Sequence, residues 1–462
     1  MRPDQLASYA RNEPTVDHVE RADPPNSDSI GIGRYVVCIG AAGVLLRLLG
    51  PAWTTGFPAA FPDSSSYLAA AASGLTSWEF WFGRRPPTYP FLIWLVGPSP
   101  RAVIVSQTLL AVFAWGWLMS TITVMIRSRT VAIIALVLTV AIAIETRWIF
   151  WNTALLTESL SATLAVGSVA AWWRWWDDPT RFRIGAATLL TIAWMLVRDA
   201  NAVSLLAVAA PAFVAIIVME RRDTNQRRRL LSIALAAVVV VGAYSVTAQI
   251  ASDRGETSFH NNVGLRWLPD PEMSAWMEAR GMPLSSALSA RSGSDAWADG
   301  EAMLSSPDLD GFRDWVSRKG RIAAAASFVV KAPWYLDRWQ RELPAYTSND
   351  LVAYDTFHVA DDFPERPLGP IDPAGSPTSM YLWGLVAVSG IAVLWVRRRT
   401  SAWFSLFLFV PVIADLYLSY VADAVEVGRH LAGPMLRFSV VVVVVGATAI
   451  DTAIVKRRAT DG

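Results

Sequence analysis

The chain has 462 residues, 53% of them hydrophobic and only 17% charged, with a formal net charge of +1 and a mean hydropathy of +0.35. Soluble proteins carry about a quarter charged residues, and several windows here reach the ~18 apolar residues that can span a bilayer, so composition excludes a soluble globular class. The near-zero net charge argues against a nucleic-acid partner. The single cysteine, Cys38, excludes an intrachain disulfide. The four histidines, His18, His260, His358 and His430, are far apart in sequence, which argues against a structural zinc site.

In chain order, residues 1–33 are polar and rich in Pro, Asp, Arg and Ser and read as a disordered tail without an apolar signal-peptide core. A first span is predicted from about Tyr35 to Trp53. The loop that follows, 54–90, carries one acid, Asp63, in a serine cluster, then Tyr67, Arg84-Arg85 and Pro-Pro-Thr-Tyr-Pro, which contains Tyr89. Pro90 to Val96 is apolar but too short to cross and is expected to lie at the interface or re-enter. Further spans are predicted at 102–126, 130–146, 154–173, 184–197, 201–219, 230–250, 379–396, 402–420 and 434–453, about ten in all. Tryptophans such as Trp172-Trp173 and Trp175-Trp176 close apolar runs, the position of interfacial anchors.

Basic runs fall on alternate loops: Arg127 and Arg129, Arg174 with Arg181 and Arg183, Arg221-Arg222 with Arg227 to Arg229, Arg397 to Arg399, and Lys456 to Arg458. The positive-inside rule then places both termini in the cytoplasm and puts the Asp63 loop and the polar stretch 251–378 outside. The expected organisation is a tail, a membrane module over 34–250, an external soluble domain over 251–378, membrane helices over 379–455 and a short tail, 456–462. Within the external domain, helical patterning appears at 271–280 and 308–327. Phe328 to Trp339 is apolar and aromatic with interspersed charges, as in a segment lying along the interface or packed on the bundle.

Ionisable groups in or beside spans are costly and mark candidate sites. Here they are Arg47, Glu145, Arg147, Glu158, Arg198, Asp199, Asp415, Asp423, Glu426, Arg429 and Arg437. Most fall at the end of their span nearer the Asp63 loop, so a single charged layer is expected beneath that loop. Arginine forks suit phosphate oxygens, and a carboxylate beside them suits proton abstraction from an incoming hydroxyl. Together they suit displacement of a lipid phosphate from an activated sugar. No Walker or dinucleotide fingerprint is present. Asp63 also suits an N-cap for a helix from Ser64, Glu158 a structural pair with Arg147 or Arg198, and Tyr67 and Tyr89 interfacial anchors.

Pro-Asp-Ser-Ser-Ser-Tyr-Leu around Asp63, Arg-Arg-Pro-Pro-Thr-Tyr-Pro, Leu-Thr-Glu-Ser-Leu around Glu158 and Gly-Arg-His-Leu-Ala-Gly-Pro around Arg429 occur in an order that resembles the GT-C superfamily of polytopic, polyprenyl-phosphate-sugar-dependent glycosyltransferases. Protein O-mannosyltransferases and arabinosyltransferases belong to it. The resemblance spans most of 34–453. It implies an all-α polytopic membrane protein, a GT-C-like bundle of about ten transmembrane helices with an external loop domain. The implied activity is inverting transfer of a hexosyl or pentosyl group from a polyprenyl-phosphate donor, at the outer face of the plasma membrane. The acceptor would be a cell-envelope glycan, lipid or protein.

By the same resemblance Asp63 and Glu158 would be catalytic and Arg429 would bind the donor phosphate. Placement adds Arg84, Arg85 and Arg198 as phosphate ligands, and Tyr67, Tyr89, Asp199 and His430 as substrate contacts. A divalent cation such as Mg or Mn is left open, because Asp63 is followed by serines rather than a second acid. The alternatives are a lipid-linked glycan flippase and a non-catalytic envelope-assembly subunit.

Overall fold

In the computed structural model, the residues described are 37–46, 60–220, 226–347, 352–353, 357–358, 372–425 and 427–461. The predicted tail 1–33, Arg47, the rest of the first span and Glu426 lie outside them. The chain is all-α apart from one short antiparallel pair, β1 (Val352–Ala353) with β2 (Phe357–His358). The membrane module runs through α1 (Val37–Leu46), α2 (Pro62–Ala72), α3 (Trp78–Phe82), α4 (Thr88–Val96), α5 (Pro100–Met125), α6 (Arg129–Ala143), α7 (Thr146–Thr153), α8 (Thr157–Asp177), α9 (Arg181–Met195), α10 (Asp199–Glu220) and α11 (Gln226–Ala251). The polar stretch contributes α12 (Glu256–Asn262), α13 (Pro271–Glu278), α14 (Ser286–Ser289), α15 (Ala298–Ser305), α16 (Asp310–Trp315), α17 (Arg321–Val330) and α18 (Ala332–Tyr346). Three long helices close the chain: α19 (Pro377–Arg397), α20 (Arg399–Ala422) and α21 (Val427–Asp461).

Five described helices are long and apolar enough to cross a bilayer: Pro100–Met125, Arg229–Ala251, Pro377–Arg397, Arg399–Ala422 and Val427–Arg457. Of the other expected spans, α6 and α9 have 15 residues each, about 22 Å of helix at 1.5 Å per residue, short of a hydrocarbon core of about 30 Å. The span predicted at 130–146 is interrupted because Glu145 adopts an extended backbone and α7 starts afresh behind it. Among the described residues, then, five of the ten spans expected from hydropathy have the length and composition to cross, and the rest of the predicted first span lies outside them.

The final helix differs from expectation at its start. The predicted span began at Pro434, leaving Arg429 and His430 on a preceding loop. Instead α21 starts at Val427 and carries Pro434 inside it. As the eighth residue of the helix, Pro434 cannot donate to the His430 carbonyl four residues back, and its ring crowds that carbonyl. Because the helix starts at Val427, Arg429 sits in its first turn. A cation there opposes the helix dipole, which makes carboxylate partners valuable to it.

The core is built where α8 packs between α5 and α9, α21 crosses α8 and α6, and α20 lies against α10 and α21. Small residues on α8 (Ala165, Gly167, Ser168, Ala170, Ala171) let these helices approach. α2 and α4 pack on each other at one end of the bundle, joined by the Tyr67–Tyr89 edge-to-face ring pair at 5.1 Å. The nine-residue α4 exposes Phe91, Trp94 and Leu95, as expected of a short apolar helix that does not cross. Helices also form where the polar stretch was patterned for them, at 271–278 and, with a π-helical turn at 316–320, over 310–330.

Candidate active site

Asp63 lies in the first turn of α2, after Pro62. The helix is capped without it: the Ser64 hydroxyl accepts the Phe61 N–H at 2.9 Å and donates to the Leu155 carbonyl at 2.9 Å. The expectation that Asp63 is the N-cap is therefore corrected, and its carboxylate is left to face the bundle. Oδ1 accepts from Arg85 Nη2 at 2.5 Å and Oδ2 from Arg429 Nη2 at 3.0 Å. Arg429 turns its Nε to Glu158 at 2.6 Å, and Arg198 Nη1 lies 3.7 Å from the same Glu158 oxygen. Glu158 is the second residue of α8, where a helix N-terminus favours an acid.

Two carboxylates and three guanidiniums from α2, the α3–α4 turn, α8, the α9–α10 turn and α21 thus form one layer, with one positive charge in excess. The acids differ in access. The Asp63 side chain is 28% exposed and that of Glu158 only 2%. Behind Glu158, among Trp115, Trp148, Trp151, Asn152 and Ser159, is a cavity of only about 20 Å³. That is room for about one water, so of the two acids it is Asp63 that is open to solvent.

His430 extends the layer. Its Nδ1 stands 2.7 Å from Arg198 Nη2. A guanidinium can only donate, so Nδ1 accepts and Nε2 carries the proton toward Asp423 Oδ2 at 3.6 Å. Asp423 in turn accepts from Ser258 at 2.6 Å and Asn261 at 3.0 Å, tying α12 to the layer. The Tyr67 hydroxyl accepts from Arg85 Nη1 at 3.5 Å, and Tyr89 packs on the Tyr67 ring. Arg85 rests over the Tyr67 ring at 4.6 Å. Burial pushes the Tyr67 phenol above its ordinary pKa against the opposing pull of Arg85, and burial followed by Tyr67 itself pushes Tyr89 well up. Both are neutral phenols. The Tyr89 hydroxyl is buried with no hydrogen-bond partner among the described residues.

Of the two adjacent arginines only Arg85 enters the layer; Arg84 is exposed and makes no ion pair among the described residues. Asp199 pairs with Arg254 at 3.0 Å rather than with the central layer. Arg254 was not singled out from the sequence, because an arginine in a polar stretch carries no desolvation signal. It nevertheless holds the turn that aims Arg85, donating to the Gly83 carbonyl at 2.7 Å and the Arg85 carbonyl at 3.4 Å. Gly83 is required at that turn, since a Cβ would overlap the Glu79 carbonyl. Asp415 and Arg437 form a separate buried pair with Ser204 and the Trp194 ring. The Arg147 side chain lies outside the described residues.

Arg429 lies between Asp63 and Glu158 and bonds both, and among the described residues no group of three or more His, Cys, Asp or Glu side chains clusters.

No family model and no curated protein matches the chain. Among solved structures it is similar to the oligosaccharyltransferase AglB of Archaeoglobus fulgidus, in complex with an inhibitory peptide and a dolichol-phosphate, at 13% identity, and to the apo form of the Archaeoglobus fulgidus oligosaccharyltransferase at 14%. The TM-score is 0.41 in both cases, with 89% of this chain and 50% of the other covered. The chain spans about half the length of those structures.

Proposed function

We propose that the chain is an integral membrane glycosyltransferase that moves a sugar from a polyprenyl-phosphate donor to a hydroxyl acceptor on the side of the membrane where Asp63 lies, read as the outer face. The observation that carries this reading is a half-exposed carboxylate, Asp63, bridged by two guanidiniums that a phosphate would bind equally well. Arginine forks match phosphate oxygens bidentately. A donor phosphate that engages Arg85 and Arg429 replaces Asp63 as their anion and releases its carboxylate. Asp63 then takes the proton of the acceptor hydroxyl as the new bond from the acceptor oxygen to the anomeric carbon forms. The bond from that carbon to the phosphate oxygen breaks, and the electron pair leaves on the phosphate, where Arg429 meets the developing charge.

Glu158 acts as a positioning residue in this scheme. It is too buried to meet an acceptor, but it holds Arg429 and Arg198 in place. With one proton acceptor and no second nucleophile in this scheme, the transfer is a single displacement, which inverts the anomeric carbon.

The test is sugar transfer by the purified protein from a panel of polyprenyl-phosphate sugars. Transfer from one donor class is expected. Absence of transfer from every donor, with lipid-linked glycan crossing liposome membranes instead, would replace this reading with a flippase.

A further inference from the structure

The polar stretch contains an apolar surface that the site does not use. α17 and α18 meet in an elbow at Lys331. Val329 is 77% exposed, Val330 60% and Leu336 49%, and Ile322 continues the same stripe along α17. The outward faces of the membrane-length helices are exposed to the same degree, as at Phe113 and Val240. Such a run on an aqueous surface is unusual unless something covers it.

Three observations say what covers it. The first is continuity. The Tyr417 hydroxyl of α20 donates to the Phe328 carbonyl at 2.5 Å. Ile413, one turn below Tyr417 on the same side of that helix, is exposed, so the elbow prolongs the outward apolar face of a membrane-length helix. The second is depth. Tyr417 lies five residues before the end of α20 at Ala422, about 7–8 Å down the helix axis, so the elbow hangs below the level where that helix ends.

The third is the charge gradient. Along α17 and α18 themselves the exposed side chains at the tip are apolar, and the one cation there, Lys331, is neutralised by the exposed Glu272 of α13 at 2.6 Å. Directly after Leu336 the surface of α18 becomes charged, with Asp337 in an exposed ion pair with Arg341 one turn further on. Apolar tip below and charges above is the profile of a shallow interfacial insertion. Trp334 and Trp339 flank it, bonded to Asp270 and packed on the Tyr420 ring respectively. Aromatic belts sit at that level.

We propose that the α17–α18 elbow inserts into the lipid leaflet on the Asp63 side and fixes the height of the polar domain on the membrane. The same anchoring sets the height of the charged layer, because Asp423, which ends α20, touches His430 and hence Arg198. The arginines are then held at headgroup depth, where an anionic lipid phosphate lies.

The experiment uses the full chain in phospholipid nanodiscs. Cys38, which is exposed, is first replaced (Cys38→Ser). Single cysteines are then placed by Val329→Cys, Val330→Cys and Leu336→Cys, with Arg341→Cys as the control, and each is labelled with an environment-sensitive fluorophore. Positions 329, 330 and 336 are expected to emit at shorter wavelength, to be quenched by nitroxide lipids labelled high on the acyl chain, and to resist aqueous iodide. Position 341 is expected to be quenched by iodide. Iodide quenching at 329 and 330 equal to that at 341 would overturn the proposal. So would protection from both quenchers, which would mean a protein, or a second copy of this chain, covers the elbow. These readouts need no transfer activity, so they stand or fall independently of the proposed reaction.

Discussion

Arg429 is the residue on which the layer turns. It is a cation in the first turn of a helix, nearly buried, and it bonds both acids. Its cost is offset only while both carboxylates stay ionised, since breaking a buried pair by removing one partner costs about 3–5 kcal/mol. Glu158→Gln keeps the shape and removes the charge. It is expected to destabilise the detergent-solubilised protein by about that amount, read as a lower unfolding midpoint. A midpoint equal to wild type would mean Glu158 does not hold the arginines. Arg198 and His430 belong to the same system: with Nδ1 accepting from Arg198, the ring offers its N–H toward Asp423.

At the scale of elements, the Asp63 loop is held by its neighbours. Thr88 N–H bonds the Leu196 carbonyl at 3.1 Å, and Arg254, from the turn after α11, grips the Gly83–Arg85 turn. Arg254→Ala is expected to raise the donor KM about tenfold, equivalent to about 1.4 kcal/mol, with a smaller effect on kcat. An unchanged KM would show that the turn holds Arg85 without it.

The polar domain has its own titrating group. His260 in α12 is buried between Phe259 and Phe312, with no hydrogen-bond partner for either ring nitrogen among the described residues. Burial first, and then the nearby Arg313 and Arg321, hold its pKa down to about 4. An unfolded histidine titrates near 6.5. Between these values the unfolded chain binds the proton and the folded one does not. The native state therefore has its full stability above about pH 6.5 and loses it as pH falls toward about 4, by up to about 3 kcal/mol. His260→Leu should flatten that part of the stability profile; an unchanged slope between pH 6.5 and 4 would contradict the assignment.

Across the whole molecule, the sequence was most legible where chemistry conflicts with the environment. Asp63, Glu158, Arg198 and Arg429 stood out because ionisable groups beside apolar runs need a reason, and the fold brings all four together. Arg254 and the Asp423–Ser258–Asn261 link did not stand out, because polar side chains in a polar stretch look ordinary until the chain is folded. Choosing Arg85 over Arg84 also needed the turn geometry. Helix boundaries were legible only where a breaker acts as one. Pro434 reads as a start but lies inside α21, whereas the break at Glu145 carries no proline or glycine at all. Five of the spans expected from hydropathy are helices of crossing length and composition among the described residues, whereas α6 and α9 are apolar but short.

If Asp63 is the proton acceptor and the arginines hold the donor phosphate, Asp63→Asn separates the two roles when donor binding and the rate of sugar transfer are both measured against wild type. Transfer is expected to slow by about 10²–10⁴, the usual contribution of a general base. Donor affinity should be equal or higher, because the substituted side chain no longer competes as an anion for Arg85 and Arg429. Transfer by Asp63→Asn at the wild-type rate would contradict the proton-acceptor role.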